Sequence, residues 1–229
     1  MNKTEINGQN WVSIYKETSF GNKYPSSYLV SLYYRIIKNY LPKIEGNRKY
    51  RALDFGCSFG ANAMMLRDAG LEVYGVDISP DAIKYCIKNG KFDVEHFVSV
   101  NLLTEKWPFS KKMDLIIASE VLYYFSDKDL KKLLDLFKTH MVSKGLLYAN
   151  MPSFNHPLYR EYSRKKATSE GLLRIQKSQT ADRELFVRVL SDKTEMKEIF
   201  SQFDEIGIFH TVEEFESETE EFHFIGMNI

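Results

Sequence analysis

In the stretch LDFGCSFGANAMML, Leu53 to Leu66, an apolar run ends in Asp54, turns through Gly56 and Gly60, and continues as helix formers. A strand, a glycine turn and a helix start, in that order, present backbone amides to a ligand, with glycine where the main chain must be approached closely. The dinucleotide fingerprint asks for GxGxxG, but Ser58 stands at the middle glycine and Asp54 adds negative charge. No Gly-Lys-Ser/Thr follows, so the turn is not a P-loop. A carboxylate here repels a pyrophosphate and suits an ammonium or sulfonium. The next apolar run, VYGVDIS, ends in Asp77, 23 residues beyond Asp54. At the carboxyl edge of a neighbouring strand, that carboxylate is placed to accept both hydrogen bonds of a ribose diol. After a third run, NLLTEKWPF begins with Asn101, whose side-chain oxygen suits an adenine amino group. A fourth run, MDLIIASEVLYYF, ends in Ser119, Glu120 and aromatics.

These groups need parallel strands to bring them to one edge, and the chain provides the pattern. Strand-like runs at Arg51–Asp54, Glu72–Asp77, Val94–Val100, Asp114–Ser119 and Gly145–Asn150 alternate with amphipathic segments, which predicts an α/β, doubly wound sheet. Ser79-Pro80 caps a helix running to about Asn89, and Ser126 opens another to about His140. Pro25–Tyr40 reads as a helix ended by Leu41-Pro42. After Asn150 the alternation stops. A less periodic insert to about Arg188 precedes a helix near Lys193–Phe203 and two β-rich runs, IGIFHTVEEF and EFHFIGMNI, that read as a closing antiparallel hairpin.

With 229 residues the chain fits one domain. It divides into an N-terminal helical cap (1–49), a ligand-binding core (50–150), an acceptor-side insert (151–190) and a closing helix and hairpin (191–229). Lys+Arg and Asp+Glu balance at 31 each, which gives no global field for nucleic acid or an anionic membrane. The two cysteines, Cys57 and Cys86, lie in no metal-like spacing. No run approaches the roughly 18 apolar residues of a membrane span, and a reducing cytoplasm is the expected location.

From about Tyr50 to Asn150 the order of these motifs resembles the class I S-adenosylmethionine-dependent methyltransferases. The resemblance implies a Rossmann-like, seven-stranded, mostly parallel sheet with an antiparallel C-terminal hairpin strand, and S-adenosyl-L-methionine as cofactor. It also implies roles. The methionine end of the cofactor falls to Asp54, Gly56, Cys57 and Gly60, the ribose to Asp77 with Ile78 beside it, and adenine to Asn101 and Leu102, with Ser119 nearby. Ser58 for the usual middle glycine and Asn101 for the commoner aspartate are departures from the family pattern.

Methyl transfer from a sulfonium is an in-line displacement in which positioning supplies much of the acceleration. It requires a base only where the acceptor must lose a proton, and no protein nucleophile, so Cys57 reads as a small turn residue. His156 is the first candidate base, with Glu120 and Tyr24 as further catalytic candidates. Tyr124, Tyr159, Arg160 and Arg164 are candidate acceptor-binding residues. The fourth strand lacks the Asn/Asp-Pro-Pro-aromatic motif of enzymes that methylate base amino groups, having Ser119-Glu120-Val121-Leu122 instead. Between Arg160 and Arg188 eight Lys/Arg face four acids, a local patch suited to an anionic small substrate rather than to many phosphates. The expected function is methyl transfer to a small-molecule acceptor, a hydroxyl of an anionic or sugar-linked metabolite, with no nucleic-acid partner. The alternatives are a catalytically silent cofactor-binding sensor or partner subunit, and an RNA methyltransferase.

Overall fold

A computed structural model of the chain describes residues 2–17, 24–44, 46–156, 159, 168–176, 184–213 and 219–229. Helix α1 (Lys3–Glu17) comes first. Helix α2 (Ser27–Leu32) then continues through a π-helical turn (Tyr33–Ile37) into α3 (Lys38–Tyr40), so the segment expected over Pro25–Tyr40 is one helical rod with a wide turn in its middle. Strands β1 (Arg51–Phe55), β2 (Glu72–Asp77), β3 (Phe97–Ser99), β4 (Met113–Ala118) and β5 (Met141–Pro152) alternate with α4 (Ala61–Asp68), α5 (Pro80–Gly90) and α6 (Asp127–His140). Strands β6 (Leu173–Gln176) and β7 (Glu184–Val187) pair antiparallel in a separate two-stranded sheet. Helix α7 (Lys193–Ile199) and strands β8 (Asp204–Glu213) and β9 (Thr219–Met227) follow.

The main sheet has the order β3-β2-β1-β4-β5-β9-β8. Its first five strands are parallel, and β9 pairs antiparallel with both β5 and β8. The fold is therefore the doubly wound α/β sheet with a C-terminal hairpin that the sequence pattern implies. All six residues of β4, MDLIIA, are buried, as expected for a central parallel strand covered on both faces. Two apolar clusters occupy those faces, one holding Leu53, Ile116, Phe137 and Phe224, the other Ala52, Leu115, Ile117 and Tyr148. Helix α6 buries Leu130, Leu133, Leu134 and Phe137, the spacing of one helical stripe. Ser79 and Ser126 cap α5 and α6 by accepting from the amides of Ala82 and Asp129.

Several boundaries differ from the expectation. Strand β3 begins at Phe97 rather than Val94, because the His96 amide turns back to the Asp93 carbonyl and Val94 faces solvent. Strand β5 starts earlier, at Met141, and bends where its register against β4 shifts between Met113 and Leu115. Helix α7 ends at Ile199, short of Phe203. The insert is not irregular throughout, since β6 and β7 form a ribbon within it.

Candidate active site

The strand order places the divergence of the doubly wound sheet between β1 and β4, where the loops leaving the two carboxyl ends run to opposite faces. A cavity of about 1140 Å³ opens there, between α1 and the turns that follow β1, β2 and β4. Its size is at the upper end of small-ligand sites, enough for a cofactor and a second small molecule together.

The turn after β1 is built from three left-handed residues, Gly56 (φ +71°), Ser58 (φ +48°) and Gly60 (φ +82°). Ser58, in place of glycine, adopts a conformation costly for most side chains, and its amide donates to Asp77 Oδ2 at 2.9 Å. The Gly56 and Cys57 amides both donate to the Val76 carbonyl, at 2.8 and 3.0 Å, tying the turn to the end of β2. A Cβ on Gly56 would lie 2.6 Å from Val121 Cγ2, so the turns after β1 and β4 meet over a glycine.

Two carboxylates lie under this turn. Asp77 is buried, and its Oδ1 accepts from the Ser79 amide at 2.9 Å. Burial raises its pKa, opposed by the backbone hydrogen bonds of Ser79, Ser58 and Ile78. Asp54 is 2% exposed, and its Oδ2 has no hydrogen-bond partner among the described residues. Burial pushes its carboxyl up to about 7, against a hydrogen bond from the Ala63 backbone and with the Asp77 charge adding to the rise. A buried carboxylate oxygen without a partner is costly while charged, and positive charge placed nearby lowers that cost through space.

On the β4 side, Ser119 is followed by Glu120 in the left-handed region, φ +57°. Its amide donates to Asn150 Oδ1 at 2.6 Å, and Asn150 Nδ2 donates to Glu221 Oε2 at 2.8 Å. Burial raises the Glu221 carboxyl to about 7, with the Glu120 and Glu213 charges contributing. The Glu120 charge also reaches Tyr123, Tyr124, Tyr148 and Tyr159, whose phenols burial lifts well above their ordinary range.

Helix α1 covers the cavity. The Asn7 side chain donates to the Tyr124 and Phe186 carbonyls, both at 2.7 Å, and accepts from the Phe186 amide at 2.9 Å. One turn on, the Trp11 ring meets Tyr124 edge-on at 5.3 Å, and a further turn on Tyr15 meets Phe59 at 5.3 Å. Burial raises the Tyr15 phenol, as does the Asp77 charge, against a hydrogen bond with the Ser58 side chain. Asn7, Trp11 and Tyr15 are spaced four apart and share one helix face. That spacing was the available sequence signal for a helix docked over the site, and it went unused; Asn150 and Glu221 offered none.

Of the residues singled out from sequence, Gly56, Cys57, Asp77, Ile78, Asn101, Leu102, Ser119, Glu120, Tyr124 and Tyr24 line the cavity. Asp54 and Gly60 belong to the same turn but do not line it, Gly60 serving as the left-handed N-cap of α4. Asn101 Oδ1 accepts from the Leu103 amide at 3.0 Å, so the oxygen assigned to adenine closes a local turn and has only its second lone pair to offer. His156 and Tyr159 are buried together, ring centroids 4.9 Å apart, and neither lines the cavity. Arg160 and Arg164 lie outside the described residues. Among the described residues no group of three or more His, Cys, Asp or Glu is placed to hold a metal, and no helix is long and apolar enough to cross a membrane.

Comparison with known proteins agrees with this geometry. Residues 52–145 match the family described as methyltransferase domain. A chemotaxis protein methyltransferase of Borreliella burgdorferi is 37% identical over 74 residues, 28% of this chain and 26% of that protein, so the match spans about a quarter of the relative's length. Among solved structures, a S-adenosylmethionine-dependent methyltransferase of Methanosarcina mazei superposes with a TM-score of 0.67 at 18% identity, covering 86% of this chain and 98% of that one. The N-methyltransferase NodS of Bradyrhizobium japonicum WM9, solved with S-adenosyl-L-homocysteine, gives 0.63 at 14% identity, covering 97% and 98%. At these identities the superpositions speak to the fold.

Proposed function

We propose that this chain, whose residues 52–145 match the methyltransferase domain family, is a class I, S-adenosylmethionine-dependent methyltransferase that transfers a methyl group to a small molecule. The observation that carries the reading is the convergence of Gly56, Asp77, Asn101 and Glu120 on one cavity at the divergence of the sheet, with the unpartnered Asp54 oxygen buried behind the turn. The residues fit S-adenosylmethionine. Asp54 supplies negative charge beneath the turn for the cofactor's positive end, Gly56 leaves the main chain open, and Asp77 keeps lone pairs for a ribose diol. When bound, the cofactor supplies an activated methyl group on sulfur.

The protein's own part is positional. The turn after β1, fixed by Ser58 on Asp77, sets where the cofactor lies, and Glu120, held by Asn150, sets where an acceptor lies. Helix α1 forms one wall of the cavity. Holding two reactants at attack distance accounts for up to roughly 7–11 kcal/mol of barrier. His156 is proposed as a second-choice base, since Glu120 lines the cavity and His156 does not. The described lining includes Glu5, Asp77, Glu120 and Asp129 and no Lys, Arg or His, a poor fit for a polyanion such as RNA. A hydroxyl of an anionic metabolite rests on Arg160 and Arg164 alone.

The direct test is calorimetry with S-adenosyl-L-homocysteine. Asp77→Ala would orphan the Ser58 and Ser79 amides, whereas Asp77→Asn keeps one acceptor but turns its NH2 on the other amide, so its melting temperature is measured beside its affinity to separate a loosened turn from the lost ribose contact. Asp77→Asn is expected to weaken binding by about 1.5–3 kcal/mol, the range for a hydrogen bond to a charged group, or roughly 10- to 150-fold. Unchanged affinity sinks the assignment.

A further inference from the structure

Resting on the methyl-transfer reading, we propose that the acceptor enters the half of the cavity between α1 and the Glu120 turn as a protonated amine, its ammonium on the Glu120 carboxylate and its body among the Trp11, Tyr15 and Tyr124 rings.

Two independent features converge there. The first is charge: the described lining holds four carboxylates, of Glu5, Asp77, Glu120 and Asp129, and no basic side chain. Asp77 belongs to the cofactor end of the cavity, beneath Ser58; Glu5 accepts from the Asn2 amide at the start of α1, Asp129 accepts from the Ser126 hydroxyl in the cap of α6, and Glu120 is the acid of the turn that follows β4. The second is shape. Trp11 stands 5.6 Å from Tyr15 and 5.3 Å from Tyr124, and Tyr123 packs on Tyr124 at 4.5 Å, so one side of the space is walled by π-faces and ring edges. Aromatic walls beside a carboxylate form the usual receptor for an organic ammonium, which gains cation–π attraction while its charge is neutralised.

The backbone supports the assignment. Glu120 has φ +57°, a region glutamate occupies at a cost, and Asn150, itself 1% exposed, grips its amide at 2.6 Å. Asn150 spends its other end on Glu221, so the aim of the Glu120 turn is set from the C-terminal hairpin.

The test uses the full chain saturated with S-adenosyl-L-homocysteine and two probes of equal ring size and opposite charge, tyramine and 4-hydroxyphenylacetate. Tyramine is expected to raise the melting temperature and bind by calorimetry, and 4-hydroxyphenylacetate to do neither. Glu120→Gln is expected to weaken tyramine at least tenfold and to leave S-adenosyl-L-homocysteine affinity within about twofold. An equal response to the two probes, including none to either, overturns the proposal, as does a preference for the carboxylate or tyramine binding indifferent to Glu120→Gln. Each of these leaves the methyl-transfer reading standing; failure of S-adenosyl-L-homocysteine to bind at all sinks both.

Discussion

Asp54 concentrates the electrostatics of the cofactor side in one group. Its folded-state carboxyl is pushed up to about 7, against about 3.9 in an unfolded chain, so the native protein binds the extra proton between those values. The folded pKa of this acid is raised, so its contribution makes stability fall as pH rises from about 4 to about 7, the window in which the folded form still holds a proton that the unfolded chain has released. Cofactor binding should reverse the preference, because a positive ligand group favours the charged carboxylate. Titrations of S-adenosylmethionine near pH 7 in buffers of different ionisation enthalpy are expected to show release of up to one proton, and affinity should rise from pH 6 to 8. Asp54→Asn should abolish the proton release and weaken binding, and release that persists in that variant would place the titrating group elsewhere. The legible residues were those whose type the local backbone demands. Gly56 and Gly60 sit at positive φ, and Asp77 ends a strand beside a turn with amides to satisfy. Glu221 and Asn150 were not legible, because their importance comes from meeting each other across 71 positions of sequence.

Among the elements, the turn after β1 and helix α1 invite contrasting substitutions. Gly56→Val adds a branched side chain at φ +71° and drives its Cβ to within 2.6 Å of Val121, so both strain and collision are expected. The variant should lose cofactor binding at least tenfold, and a folded Gly56→Val protein that binds normally would reduce the turn to a plain connection. Asn7→Ala removes the bridge that docks α1 on the Tyr124 and Phe186 backbones and leaves those groups buried and unpaired. It should destabilise the protein by about 1–3 kcal/mol in denaturant titration, with the amides of α1 exchanging faster than those of β1 and β4. Helices α5 and α6 were readable because Ser79 and Ser126 mark their starts and an apolar stripe follows. The β6–β7 ribbon was not readable, since each strand is four residues long within a mixed polar segment, too short for a period to emerge.

At the scale of the molecule, the parallel sheet could be read in outline because buried parallel strands favour apolar runs, such as MDLIIA of β4, set between amphipathic helical segments. What the chain lays over the carboxyl edge was harder to foresee, since α1 is amphipathic only weakly and its partners lie more than a hundred residues away. That cover has a kinetic meaning. Gly8 of α1 approaches so closely that a Cβ there would be 2.9 Å from Ile78 Cδ1, while Tyr15 of the same helix reaches the Ser58 turn. One helix thus touches both the turn after β1 and the turn after β2. A helix so placed predicts slow product release: a rapid first turnover should be followed by a slower steady rate, and Gly8→Ala, which props the helix outward, should shorten the lag between turnovers while loosening the grip on S-adenosyl-L-homocysteine, whereas a first turnover no faster than the later ones would leave the helix without that role.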